Sequence, residues 1–319
     1  MKPPSFWYHA TPAPGWTTPL AWLYGVGQRL HVALTTPAAS PLRTICIGNL
    51  TAGGAGKTPV TMAVRALLAD HGPTVLLRGY GGLRAGPYPV EPDDSPLWVG
   101  DEALLHRRHG PTMIARDRLA GVNAIKAMGG KLVIMDDGLQ NRRLKPDIRI
   151  AVVDGTVGIG NGALLPAGPL REPLNEALAR LDAVIMLGQD RTRFRARLDP
   201  ALPYFTARVE PVTHHLDPSK RYVVVAGIAR PEKFFAMLAD LGITVVATHT
   251  FPDHHAYNKQ DVTQLMTMAE ARQATLLTTE KDAVKIMPLT ASPIATLPIR
   301  VVFDDEPGVR AFLDRALAS

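Results

Sequence analysis

The sequence predicts an α/β protein: a mainly parallel sheet with helices on both faces, followed by a second, smaller α/β unit. Three observations predict it. From residue 43 onward, continuous apolar runs of strand length alternate with helical patterns, and runs apolar on both faces belong to strands covered by helices on each side, as in parallel sheets. The 27 glycines and 28 prolines gather in short clusters between those runs, as tight connections require. The alternation lapses from about residue 189 to 220 and then resumes, which marks a boundary.

In chain order, "TICIG", "TVLLR", "TMIAR", "KLVIMDD", "IRIAVVD" and "DAVIML" read as the strands of the first unit, the last ending at Leu187. Segment 189–220 is polar and proline-punctuated and reads as a connection with one extended stretch at "YFTARVEP". The second unit comprises "RYVVVAGI", a helix through "EKFFAMLADLG", "ITVVATHTF", a helix from about Asn258, "ATLLTTEKD", "IRVVF" and a final helix. The predicted division is 1–34 as an apolar N-terminal segment, 35–188 as the first unit, 189–220 as a linker and 221–319 as the smaller unit.

The N-terminal run "PLAWLYGVGQRLHVAL", 19–34, is interrupted by Gln28, Arg29 and His31. Spanning a bilayer takes about 20 consecutive apolar residues, so it is not a transmembrane helix. A single early lysine and the tryptophans Trp7 and Trp16 do not make a cleavable signal either. Leu20, Leu23, Tyr24 and Leu30 fall at mostly helical spacing with Trp22 beside them. Such a helix either packs on the body or lies in a membrane interface.

A chain of 319 residues, 46% hydrophobic and 20% charged, is globular and long enough for two domains. Its one cysteine, Cys46, rules out a disulfide within the chain and fits a reducing compartment. The net charge of +6 favours anionic partners: nucleotide, nucleic acid or acidic lipid.

The stretch "GNLTAGGAGKTP" follows the first strand and precedes a helical pattern. It matches the phosphate-binding pattern G-x-x-x-x-G-K-[ST], with Thr51 where the first glycine stands. After Thr51 come Ala52, Gly53, Gly54, Ala55 and Gly56, whose backbone N–H groups would converge on phosphate oxygens. Lys57 would reach the β- and γ-phosphates and the Thr58 hydroxyl would ligate Mg²⁺. The first unit is therefore P-loop NTPase-like. "KLVIMDD" ends an apolar strand in acid, so Asp136 or Asp137 fits the magnesium carboxylate of such a site.

Other charged residues are read with their context. Asp101 and Glu102 open a helix, where acids suit the helix dipole, although transfer to a hydroxyl also needs a carboxylate to accept its proton. Arg116 and Arg118 follow the strand "TMIA" and suit either phosphate or solvent. "HTFPDHHAYNKQD" holds three histidines and Asp253 but lacks the second ligand cluster that zinc requires. Its "NKQD" opens a helix after a polar loop, with Asn258 as the cap, so it is not a guanine reader.

Seven short motifs in register, "GNLTAGGAGKTP", "RGYGG", "VGDEALL", "DDGLQN", "GPLREP", "FPDHHAY" and "TTEKDAVK", resemble the tetraacyldisaccharide 4′-kinase family of lipid A biosynthesis. That family writes Ser or Thr at the position of Thr51. The resemblance implies ATP-dependent, Mg²⁺-dependent phosphorylation of the 4′-hydroxyl of an acylated glucosamine disaccharide 1-phosphate lipid, giving lipid IVA. The expected place is the cytoplasmic face of the inner membrane, on its anionic surface, without nucleic acid or an obligate protein partner. It further implies Lys57 and Thr58 on the phosphates and metal, Asp136 and Asp137 in the metal site, and Asp101 as general base. His254, rather than His255, becomes the partner of Asp101, and Glu102, Arg118 and Glu172 fall on or near other site positions. Asp101 and His254 belong to different predicted units, so catalysis would require closure of one over the other. Two rivals are an NTPase coupling hydrolysis to a partner or to metal insertion, and a nucleotide-binding module on nucleic acid. Neither needs Asp101 with His254, and 6% aromatics with no aromatic-interleaved basic run speak against the second.

Overall fold

The apolar runs form strands with both faces buried, as along Ile45, Cys46 and Ile47, none of them reached by solvent. The computed structural model describes residues 4–8, 12–214 and 216–318. Its strands in chain order are β1 (Ala38–Ala39), β2 (Arg43–Asn49), β3 (Thr74–Leu77), β4 (Tyr88–Pro89), β5 (Thr112–Ile114), β6 (Leu132–Asp136), β7 (Leu144–Lys145) and β8 (Ile148–Asp154). There follow β9 (Ala183–Leu187), β10 (Tyr204–Pro211), β11 (Arg221–Ala226), β12 (Thr244–Thr250), β13 (Thr275–Thr279), β14 (Ala295–Leu297) and β15 (Ile299–Phe303). The helices are α1 (Thr17–Ala33), α2 (Lys57–Leu67), α3 (Pro96–Val99), α4 (Asp101–Arg107), α5 (Arg118–Ala127), α6 (Leu174–Leu178), α7 (Pro231–Asp240), α8 (Lys259–Ala271), α9 (Glu280–Ile286) and α10 (Glu306–Ala318).

Nine strands make one sheet in the order β15-β10-β9-β8-β2-β6-β3-β5-β4. It is parallel except at its two edges, where β15 and β4 run antiparallel to β10 and β5. Period-two alternation divides its side chains between two layers. Ile45 and Ile47 join Val60 and Val64 of α2, Leu104 of α4 and Leu313 of α10 on one face. Cys46 joins Val122 and Ile125 of α5 and Ala177 of α6 on the other, where burial pushes its thiol up to about 12 and leaves it unreactive. A second sheet, β12-β11-β13-β14, is wholly parallel. It is covered by α7 through Phe234 and Leu238 and by α8 through Val262 and Leu265.

The predicted strands are present, but the division along the chain differs from the expected one. Within the expected linker 189–220, the extended stretch is β10, an interior strand of the large sheet. Within the expected smaller unit 221–319, β15 returns to pair with β10, and α10 packs beside α2. The small sheet is thus an insertion, with the chain crossing at 212–220 and again at Pro298. Val212 N–H donates to Pro298 O at 2.8 Å, so the two crossings lie side by side.

Of the N-terminal segment 1–34, residues 1–3 and 9–11 lie outside the described residues. Helix α1 rests on the body through Thr17, Ala21 and Gly25, a stripe of small residues at i, i+4 and i+8. Leu164 Cδ1 lies 3.0 Å from where a Cβ on Gly25 would stand, and Tyr24 Oη donates to Arg171 O at 2.9 Å. Its large apolar side chains, Leu20, Trp22, Leu23, Val26 and Leu30, face outward. Among the described residues no helix is long and apolar enough to cross a membrane.

The last helix provides a test of this arrangement. Leu313 is fully buried in the core of the large sheet, so Leu313→Ala should destabilise the protein by about 2–5 kcal/mol in urea unfolding. An unchanged midpoint would detach α10 from that core.

Candidate active site

A cleft of about 1130 Å³ lies between the two sheets, lined by the loops that leave the carboxyl ends of the parallel strands. The glycine-rich loop is one wall. Thr51 bridges Leu170 in an antiparallel pair, and Ala52 N–H donates to Pro169 O at 2.7 Å. This position is extended, so a β-branched residue fits where the usual loop has glycine. Gly53 and Gly56 have φ of +104° and +84°, and a Cβ on Gly56 would stand 2.5 Å from Leu187 Cδ1, so Gly56 is required. Gly56 caps α2 without a side chain, leaving the first N–H groups of that helix for an anion. Ala229 of the small-sheet unit would lie 3.4 Å from a Cβ on Gly54.

Lys57 and Thr58 begin α2 and meet the end of β6. Lys57 Nζ is 3.6 Å from Asp137 Oδ2, and Arg171 Nη1 holds Asp137 Oδ1 at 2.9 Å. The Thr58 hydroxyl donates to Asp136 Oδ2 at 3.1 Å, and His106 Nε2 lies 2.8 Å from the same oxygen. Asp136 Oδ1 is buried with no partner among the described residues. Burial pushes this carboxyl up, but the hydrogen bond from His106, the charge of Lys57 and the Thr58 hydroxyl outweigh it and hold it below its ordinary value.

Asp101 opens α4 just behind the opposite wall, which its neighbours Glu102 and His254 line. Its approach requires Gly100, at φ +90°, where a Cβ would stand 2.5 Å from Tyr80 O. Asp101 is only 5% exposed, and His254 Nδ1 lies 3.2 Å from both its carboxylate oxygens. Lys285 Nζ is 3.5 Å from Asp101 Oδ2. Lys281 Nζ stands 3.2 Å from His254 Nε2, 3.3 Å from Asp253 Oδ1 and 3.5 Å from Glu102 Oε1. Burial alone would raise the Asp101 carboxyl, but the His254 hydrogen bond and the charges of Lys281, His254 and Lys285 outweigh it and hold it at about 2. Lys281 is raised: burial would lower it, but Glu102, Asp101 and Asp253 more than compensate.

The remaining sequence candidates divide. Arg118 begins α5, is buried, donates to Ala115 O at 2.8 Å and to Asp137 O at 3.5 Å, and lines the cleft, as exposed Arg116 does. Glu172 does not line it. It is buried between Arg142 and Arg180, the latter at 2.6 Å, while its neighbours Arg171 and Gln140 reach the cleft. His255 turns away to Asp261 at 3.0 Å and stacks on Phe251. Asn258 caps α8 in a reciprocal box with Asp261, as its position before the helix predicts.

Sequence reasoning missed His106, Arg171, Lys281 and Lys285 as site residues. Three of them stand inside recognised motifs, in "GPLREP" and "TTEKDAVK". His106 carried no signal beyond a histidine in an apolar helical run. It also missed a second contact across the sheets: Asp154, at the end of β8, accepts from Arg230 and Lys233, each at 2.6 Å. That strand ends in acid like β6, which was a usable sign.

A phosphate-binding loop with a carboxylate held beside the same cleft suits transfer to a hydroxyl, whose proton a carboxylate can accept. Fold and site together define the class as a P-loop phosphotransferase. The family model for tetraacyldisaccharide-1-P 4′-kinase matches residues 15–318, and the chain belongs to that family. It is 41% identical to the tetraacyldisaccharide 4′-kinase of Rhodospirillum rubrum, over 99% of this chain and 98% of that one. With that of Methylobacterium nodulans it shares 42% identity, over 96% and 93%. Among solved structures, LpxK from Aquifex aeolicus in complex with ATP superposes with a TM-score of 0.78 at 26% identity, covering 94% of this chain and 98% of that one.

The Asp101 environment sets a pH dependence. Its folded value of about 2 is below the ordinary 3.8, so its contribution is fully present above about pH 4 and lost as pH falls toward about 2. Asp101→Asn should therefore lose about 2 kcal/mol less stability than the wild type over that acid range, read by urea unfolding. Parallel pH curves for the two proteins would contradict the assignment.

Proposed function

We propose that this chain transfers the γ-phosphoryl group of ATP to the 4′-hydroxyl of an acylated glucosamine disaccharide 1-phosphate. The observation that carries the reading is that His254 lines the same cleft as Lys57 and Thr58 and holds Asp101 directly behind it, in a chain of this family. The nucleotide phosphates would lie on the N–H groups of Gly53 to Thr58 and on Lys57. The base would enter the apolar end of the cleft, against Val209, Ile228, Phe234, Met237 and Leu297.

The residues present suit Mg²⁺, because Asp136 keeps one buried oxygen unpartnered beside the Thr58 hydroxyl and a hard cation takes oxygen ligands. Thr58 and Asp136 would hold it, with Asp137 nearby; bound there, Mg²⁺ neutralises charge developing on the phosphates. The acceptor oxygen attacks the γ-phosphorus, the bond from that phosphorus to the bridging oxygen breaks, and ADP leaves. The hydroxyl proton passes to a carboxylate oxygen of Asp101. A carboxylate held this acidic takes the proton late, once the O–P bond has largely formed. His254 donates to Asp101 and fixes its orientation, while Lys281 places Glu102 and His254 relative to one another. Arg118 supports Asp137 through its carbonyl, and Glu172 acts through Arg142, Arg180 and Gln140. The large sheet and the inserted small sheet act as two units closing over substrate.

A four-chain lipid stays in the bilayer, so the enzyme must meet it there. The outward row of Trp22, Leu23, Val26 and Leu30 on α1, with the net charge of +6, supplies insertion plus attraction to anionic lipid. This supports peripheral binding at the cytoplasmic face of the inner membrane.

Incubation with [γ-³²P]ATP, Mg²⁺ and the disaccharide 1-phosphate should label the lipid on thin-layer chromatography. Asp101→Ala should lower turnover by roughly 10²- to 10⁴-fold while ATP binding is retained; undiminished turnover removes Asp101 from the chemistry. Replacing exposed Trp22 and Leu23 together by Glu should reduce sedimentation with phosphatidylglycerol vesicles without moving the melting temperature. Equal sedimentation would place the membrane contact elsewhere.

A further inference from the structure

Helix α4 has chemistry at both ends. Asp101 stands in its first turn and His106 in its last, and the His106 ring is wholly buried. Its Nε2 is 2.8 Å from Asp136 Oδ2, which also accepts the Thr58 hydroxyl at 3.1 Å. An ionised carboxylate oxygen only accepts, so His106 donates here from Nε2–H. The other ring nitrogen, Nδ1, is buried with no partner among the described residues, as is Asp136 Oδ1. A buried polar nitrogen without a partner costs free energy that an apolar side chain at this position would avoid. Packing therefore does not explain the histidine, whereas its bond to Asp136 does.

The surroundings hold that bond in place. Arg65, on the same helix as Thr58, donates from Nη1 to His106 O and from Nη2 to Pro111 O, each at 3.0 Å. Thr58, Asp136, His106 and Arg65 thus form a closed circuit joining α2, β6 and α4.

We propose that His106 is a positioning residue for phosphoryl transfer: by occupying Oδ2 of Asp136 together with Thr58, it leaves Oδ1 as the oxygen that serves magnesium. The same seven-residue helix then fixes the distance between that carboxylate and Asp101. The proposal rests on the reading of Asp136 as the magnesium carboxylate.

The test uses the full chain with a non-hydrolysable ATP analogue and Mn²⁺ as the probe, with free Mn²⁺ read by electron paramagnetic resonance. His106→Leu should weaken Mn²⁺ binding by about tenfold or more, the usual effect of losing a partner behind a metal ligand. His106→Gln, whose amide reaches the same oxygen, should bind Mn²⁺ close to the wild type, and His106→Asn, one methylene shorter, should not. Should the leucine variant fail to fold, the Gln–Asn comparison decides. Wild-type affinity in both Leu and Asn variants, or equal loss in Gln and Asn, overturns the proposal. Asp136→Asn is titrated alongside, and wild-type affinity there removes the magnesium reading itself rather than the part assigned to His106.

Discussion

Asp101 is withdrawn from water, and burial by itself would drive its carboxyl toward the neutral form. It stays ionised because cations and a hydrogen-bond donor reach it from the other sheet: His254 follows β12, and Lys281 and Lys285 lie on α9. The ionisation of the proposed base is thus a property of the two sheets together. Separating them would remove those charges and also return Asp101 to water, so its acidity and the closed arrangement depend on each other. Lys285 is shared, at 2.8 Å from Asp282, which in turn accepts from Gly227 N–H at 2.7 Å. The support of Asp101 therefore reaches back to the end of β11.

Asp154 repeats this logic at the other end of the cleft, with the carboxylate again on the large sheet and the cations, Arg230 and Lys233, beside the small one. Buried or half-buried ion pairs give little net stability, since desolvation offsets most of the attraction. What they impose is a particular alignment, because a displaced partner leaves a charge uncompensated. Two such contacts fix the relation of the two sheets around the cleft.

Much of the fold was legible because it is written locally. A run such as Ile45 to Ile47 declares a doubly covered strand, Gly56-Lys57-Thr58 declares an anion-binding helix start, and Asn258 with Asp261 declares a cap. The pairing of β10 with β15 was not legible, because the residues concerned, such as Arg208 and Val302, are far apart in sequence and β10 is half-exposed and polar. For the same reason the small unit read as a tail rather than as an insertion. At the site, the motifs located Lys57, Asp101, Asp136 and His254, but no local pattern distinguishes Glu172 lining a cleft from Glu172 held by two arginines beneath it. His106 was hidden because its meaning lies in a contact with Asp136, 30 residues away.

The two crossings between the sheets, at 212 and 298, are joined by the hydrogen bond from Val212 to Pro298. A unit hung on a single strand can swivel about that strand as well as swing. Hung on two neighbouring strands tied to each other, and seated through Val284 of α9 in the core of the large sheet, the unit resists twisting about either strand. Such a connection holds His254 against Asp101 in a single register.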